Sequence, residues 1–309
     1  MIAAESVREA AAGLRGVAVR TPLLHLPALG VYLKLESLQP VGAFKARGAF
    51  TAVRRLSEAA RRPGVITYSS GNHGQAVAWA AARFGVRAVI VMPETAPAVK
   101  VDGVKRWGGE VVFAGRTSAD RQTKAEAIAA GEGLAIVPPF NHLDVIAGQA
   151  TVALEIVEDL PDVATVVVPV GGGGLISGVV AGLAAVESRA RVWGVEPTGA
   201  PKLQRSLAAG RVERLERTAS LADGLITLTV GDLPFGILQR HRDRVAGVAL
   251  VDDDSLREAV RYLHRECRLD VEPSGAATTA AVRTGAVRPA GVTVLVVSGG
   301  NVDPKLFED

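Results

Sequence analysis

Cysteine is almost missing: Cys267 stands alone among 309 residues. A single thiol excludes an internal disulfide and any Cys-x-x-Cys zinc or thioredoxin-type site, and it suits a reducing cytoplasm. Runs of like charge are also missing. The 35 Lys+Arg and 32 Asp+Glu are scattered and leave a formal charge of +3, so there is no basic arm and no nucleic-acid partner is expected. No stretch approaches the ~18 apolar residues of a membrane span, and the opening MIAAESVREAAAGLRG reads as a charged amphipathic helix without the apolar centre of a signal peptide. The expectation is a soluble cytoplasmic protein with no membrane partner. Gly-x-Ser-x-Gly and His-Glu-x-x-His are absent, and the histidines at 25, 73, 142, 241 and 264 have no metal-ligand spacing.

What the chain has is a large apolar fraction, 48%, enough for a sizeable core and two lobes. Short Val/Ile-rich runs recur between Ala-rich stretches of helical period: 65–70, 88–93, 110–115, 165–174, 191–197 and 292–300. Runs that are apolar at nearly every position suit strands buried on both faces, the pattern of parallel sheets covered by helices. The fold class is therefore open α/β. Between the first two runs, Ala76, Val77, Ala80, Ala81 and Phe84 share one helical face and Gly85 follows as a C-terminal cap.

Three segments could carry chemistry. Gly171-Gly172-Gly173-Gly174-Leu175 follows a strand run and precedes the helical pattern ISGVVAGLAAV. Consecutive glycines let several N–H groups converge on one anion, and the following helix adds its positive end, so the segment reads as a phosphate cradle; the alternative is a tight turn. No Gly-Lys-Ser/Thr follows, and Ile176 and Ser177 stand where a dinucleotide fingerprint needs its third glycine, which argues against a nicotinamide oxidoreductase. Ser69-Ser70-Gly71-Asn72-His73-Gly74 also links a strand run to a helix. Such a loop faces the crevice where α/β proteins place ligands and suits a carboxylate, although Ser or Asn could simply cap the helix and His73 could be structural. Lys45 follows an apolar turn beside Phe44; it is either a surface lysine or one desolvated enough for Schiff-base chemistry.

Taken in this order, and with Val297-Ser298-Gly299-Gly300-Asn301, these segments resemble the threonine/serine dehydratase and serine racemase family. That family uses pyridoxal phosphate on the fold of the tryptophan synthase β chain. The resemblance runs from about Thr21 to the tail. It implies two mostly parallel, open twisted sheets with helices on both faces and the cofactor between lobes. The large lobe would be 1–47 with 142–309, and the small mobile lobe 48–141.

Carried over by motif, the resemblance makes Lys45 the Schiff-base lysine and the base for the α-proton, with Phe44 beside the cofactor ring. Asn72 would meet the ring hydroxyl, Gly171 to Gly174 with Leu175 the phosphate, and Ser298 the ring nitrogen. A neutral hydroxyl there weakens the ring as an electron sink and favours prompt β-elimination. Ser69, Ser70, Gly71 and His73 would surround the substrate carboxylate, with Ser70 opposite Lys45 as a second proton carrier; Arg121 and Asn141 would line the pocket. The implied activity is threonine dehydratase, giving a 2-oxo acid and ammonia from L-threonine or L-serine. Serine racemase or 3-hydroxyaspartate dehydratase is the alternative within the family, and a catalytically silent amino-acid-binding protein is the alternative outside it. A homo-oligomer, dimer or tetramer, is implied. Relatives that need a divalent cation carry a glutamate and an aspartate about six residues apart with a carbonyl between; here the stretch has Glu196, Ala200 and then Lys202. No metal is therefore expected, and the Lys202 ammonium is expected near Glu196 and the Ala200 carbonyl.

Overall fold

The protein is described by a computed structural model, covering residues 2–69, 71–96, 98–115 and 117–307, apart from the side chain of Val99. Ten strands are present among the described residues: β1 Leu23–Leu26, β2 Val31–Leu35, β3 Val65–Tyr68, β4 Ala88–Met92, β5 Glu110–Phe113, β6 Ala135–Ile136, β7 Thr165–Pro169, β8 Arg191–Pro197, β9 Val245–Val251 and β10 Thr293–Val297. They form two sheets, ordered β1-β2-β10-β7-β8-β9 and β5-β4-β3-β6. Only β1 runs antiparallel to its neighbour. Strands β4, β7 and β10 are buried at every position, as strands covered by helices on both faces must be.

Strand order fixes where a ligand can enter. In the larger sheet the chain steps outward from β7 to β8 and β9, then returns to place β10 on the other side of β7. In the smaller sheet it steps from β3 to β4 and β5, then returns to set β6 beside β3. Each reversal opens a crevice beyond the carboxyl ends of the two strands that flank it, β7 and β10 in one sheet and β3 and β6 in the other. The described residues that follow these strands are 170–173 and 298–301 in one sheet, and 69, 71 and 137–142 in the other. Three of these stretches hold the segments singled out above.

The helix Lys45–Arg55 is anchored two residues past Lys45. Arg47, 1% exposed, grips Glu36 with two bonds of 2.8 Å and Glu155 with bonds of 2.7 and 2.8 Å. Lys34 also reaches Glu155 at 2.7 Å, and Thr21 Oγ1 donates to Glu36 at 2.7 Å. Burial alone would push the Glu36 carboxyl up, but Arg47 and Lys34 hold it below the usual carboxylate range. This cluster joins β2, the Lys45 helix and the helix Leu143–Asp159. Arg47→Met is expected to lower unfolding stability by about 3–5 kcal/mol, because Glu36 would stay buried without its partner; urea unfolding followed by circular dichroism checks it.

No described helix is long and apolar enough to cross a membrane. Residues 47 and 48 lie inside the unbroken helix Lys45–Arg55, which packs against both Asn72–Arg83 and Leu143–Asp159.

Candidate active site

Lys45 opens its helix because Phe44, the residue before it, is tied to the end of β10: the Phe44 N–H donates to the Ser298 carbonyl at 3.0 Å, and Ala43 bridges Gly299. The lysine side chain passes the Phe44 ring, with Nζ 5.1 Å from its centroid, and donates to the Pro139 carbonyl at 2.6 Å. Burial brings its amine down to about 8, against the opposing pull of Glu272. A lysine so placed carries a sizeable neutral fraction near neutral pH, as nucleophilic amines require.

The next residue after Pro139 leads to the glycine loop. The Phe140 ring fills the space a Cβ at Gly172 would take, and a Cβ at Gly171 would come 2.5 Å from the Gly224 carbonyl oxygen. Gly173 sits at φ +90° and caps the helix Gly174–Ala185. No side chain among the described residues caps that helix, nor Asn72–Arg83, nor Pro273–Arg283, nor Lys45–Arg55. These four starts are bonded to one another's surroundings: Asn72 Nδ2 donates to Glu272 at 2.8 Å, the Gly224 N–H to Ser274 Oγ at 3.0 Å, and Phe44 to Ser298. Open N–H groups and positive dipole ends thus gather around Lys45, an arrangement that favours anions.

The loop after β3 contributes Ser69, whose Oγ accepts from the Gly71 N–H at 3.3 Å, and Asn72, whose Oδ1 accepts from Asn301 at 2.8 Å. Ser69 does not cap the helix, so the capping alternative for it fails. Ser70 lies outside the described residues. His73 is buried and donates from Nε2 to the Val137 carbonyl at 3.0 Å; burial, then the charge of Lys45, brings its imidazole down to about 3. It is neutral, so its ring cannot attract a carboxylate by charge, and its structural role is the bond to β6's exit loop. Ser298 is 3% exposed and its hydroxyl makes no hydrogen bond among the described residues.

Two candidate pocket residues sit further back. Asn141 spends its amide oxygen on the Leu233 N–H, 3.0 Å away, at the start of the helix Asp232–Arg240. It braces the glycine loop, because the neighbouring Gly231 N–H donates to the Gly172 carbonyl at 3.0 Å. Arg121 is buried on the helix Ser118–Glu132 over the smaller sheet and donates to Ser118 Oγ at 2.9 Å. Leu175 is buried in the core behind the loop. Lys202 Nζ lies 3.0 Å from Glu196 Oε1 and 3.1 Å from the Ala200 carbonyl.

Two residues escaped the sequence reading. Glu272 is buried, occupies the place a Cβ on Gly299 would take and bonds Asn72; burial raises its carboxyl to about 7 despite Lys100, the Asn72 bond and Lys45. Its signal was a Glu-Pro pair opening a helical pattern, a recognisable helix start. Lys100 pairs with Asp223 and lies 3.9 Å from where a Cβ at Gly71 would stand. Nothing local distinguishes it from other lysines.

The comparisons agree with this geometry. The family described as "Pyridoxal-phosphate dependent enzyme" matches residues 14–299. The chain is 39% identical to an L-threonine ammonia-lyase of Thermotoga maritima, over all of this chain and 78% of the relative. It is 38% identical to an L-threo-3-hydroxyaspartate ammonia-lyase of a Pseudomonas species, over 96% of this chain and 94% of the relative. The solved structure of maize serine racemase superposes with a TM-score of 0.93 at 36% identity, covering 98% of this chain and 94% of that one. With its two mostly parallel sheets and its buried Lys45 at the crevice between their loops, this chain belongs to the pyridoxal-phosphate-dependent enzyme family.

Proposed function

We propose that the protein is a threonine ammonia-lyase, converting L-threonine to 2-oxobutanoate and ammonia, with L-serine as a second substrate. The observation that carries this reading is the buried Lys45 amine, lowered to about 8, beside a glycine loop whose N–H groups are open.

The residues suit the cofactor. Gly171 to Gly174 have Gly224, Phe140, Val230 and Pro234 packed where side chains would stand, so only backbone lines the loop's open side, and the helix Gly174–Ala185 presents its uncapped positive end there for a phosphate. Lys45 is an amine for the cofactor aldehyde, Asn72 a side-chain amide for the ring hydroxyl, and Ser298 an uncommitted hydroxyl for the ring nitrogen. Pyridoxal phosphate supplies an aldehyde to hold the substrate amine and an electron sink for the bond electrons left by the α-proton.

The chain's own groups then do the rest. Lys45, freed by the substrate amine, takes the α-proton at Nζ and can return a proton to the departing hydroxyl. Ser69, Gly71 and the start of the helix Asn72–Arg83 hold the substrate carboxylate, helped by the positive charge of Lys100. Ser298 would meet the ring nitrogen with a neutral hydroxyl that cannot protonate it, which would favour loss of the β-hydroxyl. The four-stranded sheet, within the span 48–141, closes over the crevice and excludes water.

Glu272 tunes this lysine. Its carboxylate raises the Lys45 amine, which burial lowers. Uptake of pyridoxal phosphate by cofactor-free protein needs the neutral amine, so its rate is expected to rise with pH around a midpoint near 8. Glu272→Gln removes the raising influence and should move that midpoint to lower pH. Stopped-flow absorbance over a pH series checks both, and a wild-type midpoint near that of an ordinary lysine would contradict the assignment.

The activity itself is tested by measuring 2-oxo acid and ammonia from both enantiomers of threonine and serine and from 3-hydroxyaspartate, with chiral analysis of residual serine. L-Threonine should give the highest kcat/KM. A preference for 3-hydroxyaspartate, or D-serine formed faster than pyruvate, would replace this reading with that of one of the other relatives.

A further inference from the structure

Lys202 is fully buried at the first position of the helix Lys202–Ala209. Its Nζ is surrounded by oxygen: the Val170 carbonyl at 2.9 Å, Glu196 Oε1 at 3.0 Å, the Ala200 carbonyl at 3.1 Å and the Leu225 carbonyl at 2.9 Å. Every one of these neighbours is an acceptor. A neutral amine would point its lone pair at one of them, whereas an ammonium offers three donors and shares one. Glu196 is fully buried too, and its two oxygens accept from the Leu203 and Gln204 N–H groups at 2.9 Å each, at the start of the same helix. That fixes it as a carboxylate, one negative charge against one positive.

Carbonyls and a carboxylate converging from three segments, around Val170, Glu196–Ala200 and Leu225, form the donor set of a hard metal cation. Here the Lys202 nitrogen occupies the middle, so the divalent ion that the family resemblance sets between Glu196 and Ala200 does not fit. The oxygens also have a common destination. Val170 is the residue before Gly171, and Leu225 follows Gly224, whose carbonyl lies against Gly171. The ammonium thus fastens the first residue of the glycine loop to the segment that packs on it.

We propose that Lys202 is a built-in cation: its ammonium replaces a dissociable metal ion, holds the start of the Gly171–Gly174 loop in its anion-binding shape, and makes the holoenzyme independent of divalent metal. Lys202 is a positioning residue that touches neither cofactor nor substrate. The part concerning cofactor affinity rests on the reading of that loop as the phosphate site.

The test uses purified holoenzyme, elemental analysis, thermal melting and cofactor titration. Wild type should carry no stoichiometric magnesium, calcium or manganese, and EDTA should change neither its melting temperature nor its cofactor affinity. Lys202→Met should bind pyridoxal phosphate roughly tenfold more weakly or worse, as removal of one partner from a buried pair costs. Lys202→Asp should bind one Mn2+ per chain, read by electron spin resonance, and regain melting temperature and cofactor affinity only when Mn2+ is present. A wild-type protein that holds one dication per chain and loses melting temperature in EDTA would overturn the proposal, as would a Lys202→Asp variant that takes up no Mn2+. Cofactor affinity unchanged in Lys202→Met would overturn the positioning role. The metal and melting readouts do not depend on what the loop binds. The loop's reading has its own failure signal, which is wild-type cofactor affinity in Gly173→Ala.

Discussion

Lys45→Ala is expected to lower turnover of L-threonine by about two to four orders of magnitude through loss of a positioned proton-transfer group, and further because the covalent hold on the cofactor is lost as well. The fold should survive. The lysine Nζ is buried with one hydrogen bond among the described residues, to the Pro139 carbonyl, and removing a desolvated amine relieves a penalty while losing that bond. Steady-state assays, the visible absorbance of the purified protein and far-UV circular dichroism read these three outcomes separately. Colourless, folded, inactive protein is the expected result. Near-normal turnover would mean that another amine does the chemistry.

The second large effect is expected at Gly173. An alanine there must adopt φ near +90° with its Cβ 2.7 Å from Val230 Cγ2 and 2.9 Å from Pro234 Cβ. The left-handed conformation costs about 1–2 kcal/mol for a residue with a Cβ, and overpacking about 1–3 kcal/mol. The loop can relieve both only by turning its N–H groups away from their common focus. Gly173→Ala should therefore weaken pyridoxal phosphate binding by roughly 10- to 100-fold or more, at about 1.4 kcal/mol per tenfold. Excess cofactor should restore much of the activity, which distinguishes a binding defect from a chemical one.

Legibility in the sequence followed burial. The six Val/Ile-rich runs became β3, β4, β5, β7, β8 and β10; β4, β7 and β10 are covered on both faces and need apolar residues at successive positions, whereas the edge strand β5 is partly exposed despite its apolar run. Strand β2 was hidden by Lys34, which reads as polar but is buried against Glu155. Strand β9, VAGVALV, sits at a sheet edge with Gly247 inside it. Strand β1 exposes its middle residues and β6 has two residues, so neither makes a periodic signal. At the site, Lys45 and the glycine loop were legible because their local patterns have few structural uses. Glu272 was not, because it meets Asn72 across 200 residues of chain. His73 was legible as a residue of interest but not as a neutral one, since its low basicity comes from burial and from the charge of Lys45, against the opposing bond to the Val137 carbonyl.

The most direct test of the central claim, that Lys45 holds the cofactor at this crevice, is borohydride reduction of the holoenzyme followed by proteolysis and mass spectrometry. The reduced cofactor should be found on the peptide containing Lys45, in stoichiometric amount, and should be lost in Lys45→Ala. Its attachment to Lys100, to Lys202 or to any other lysine, or the absence of a covalent adduct from catalytically active protein, would contradict the account.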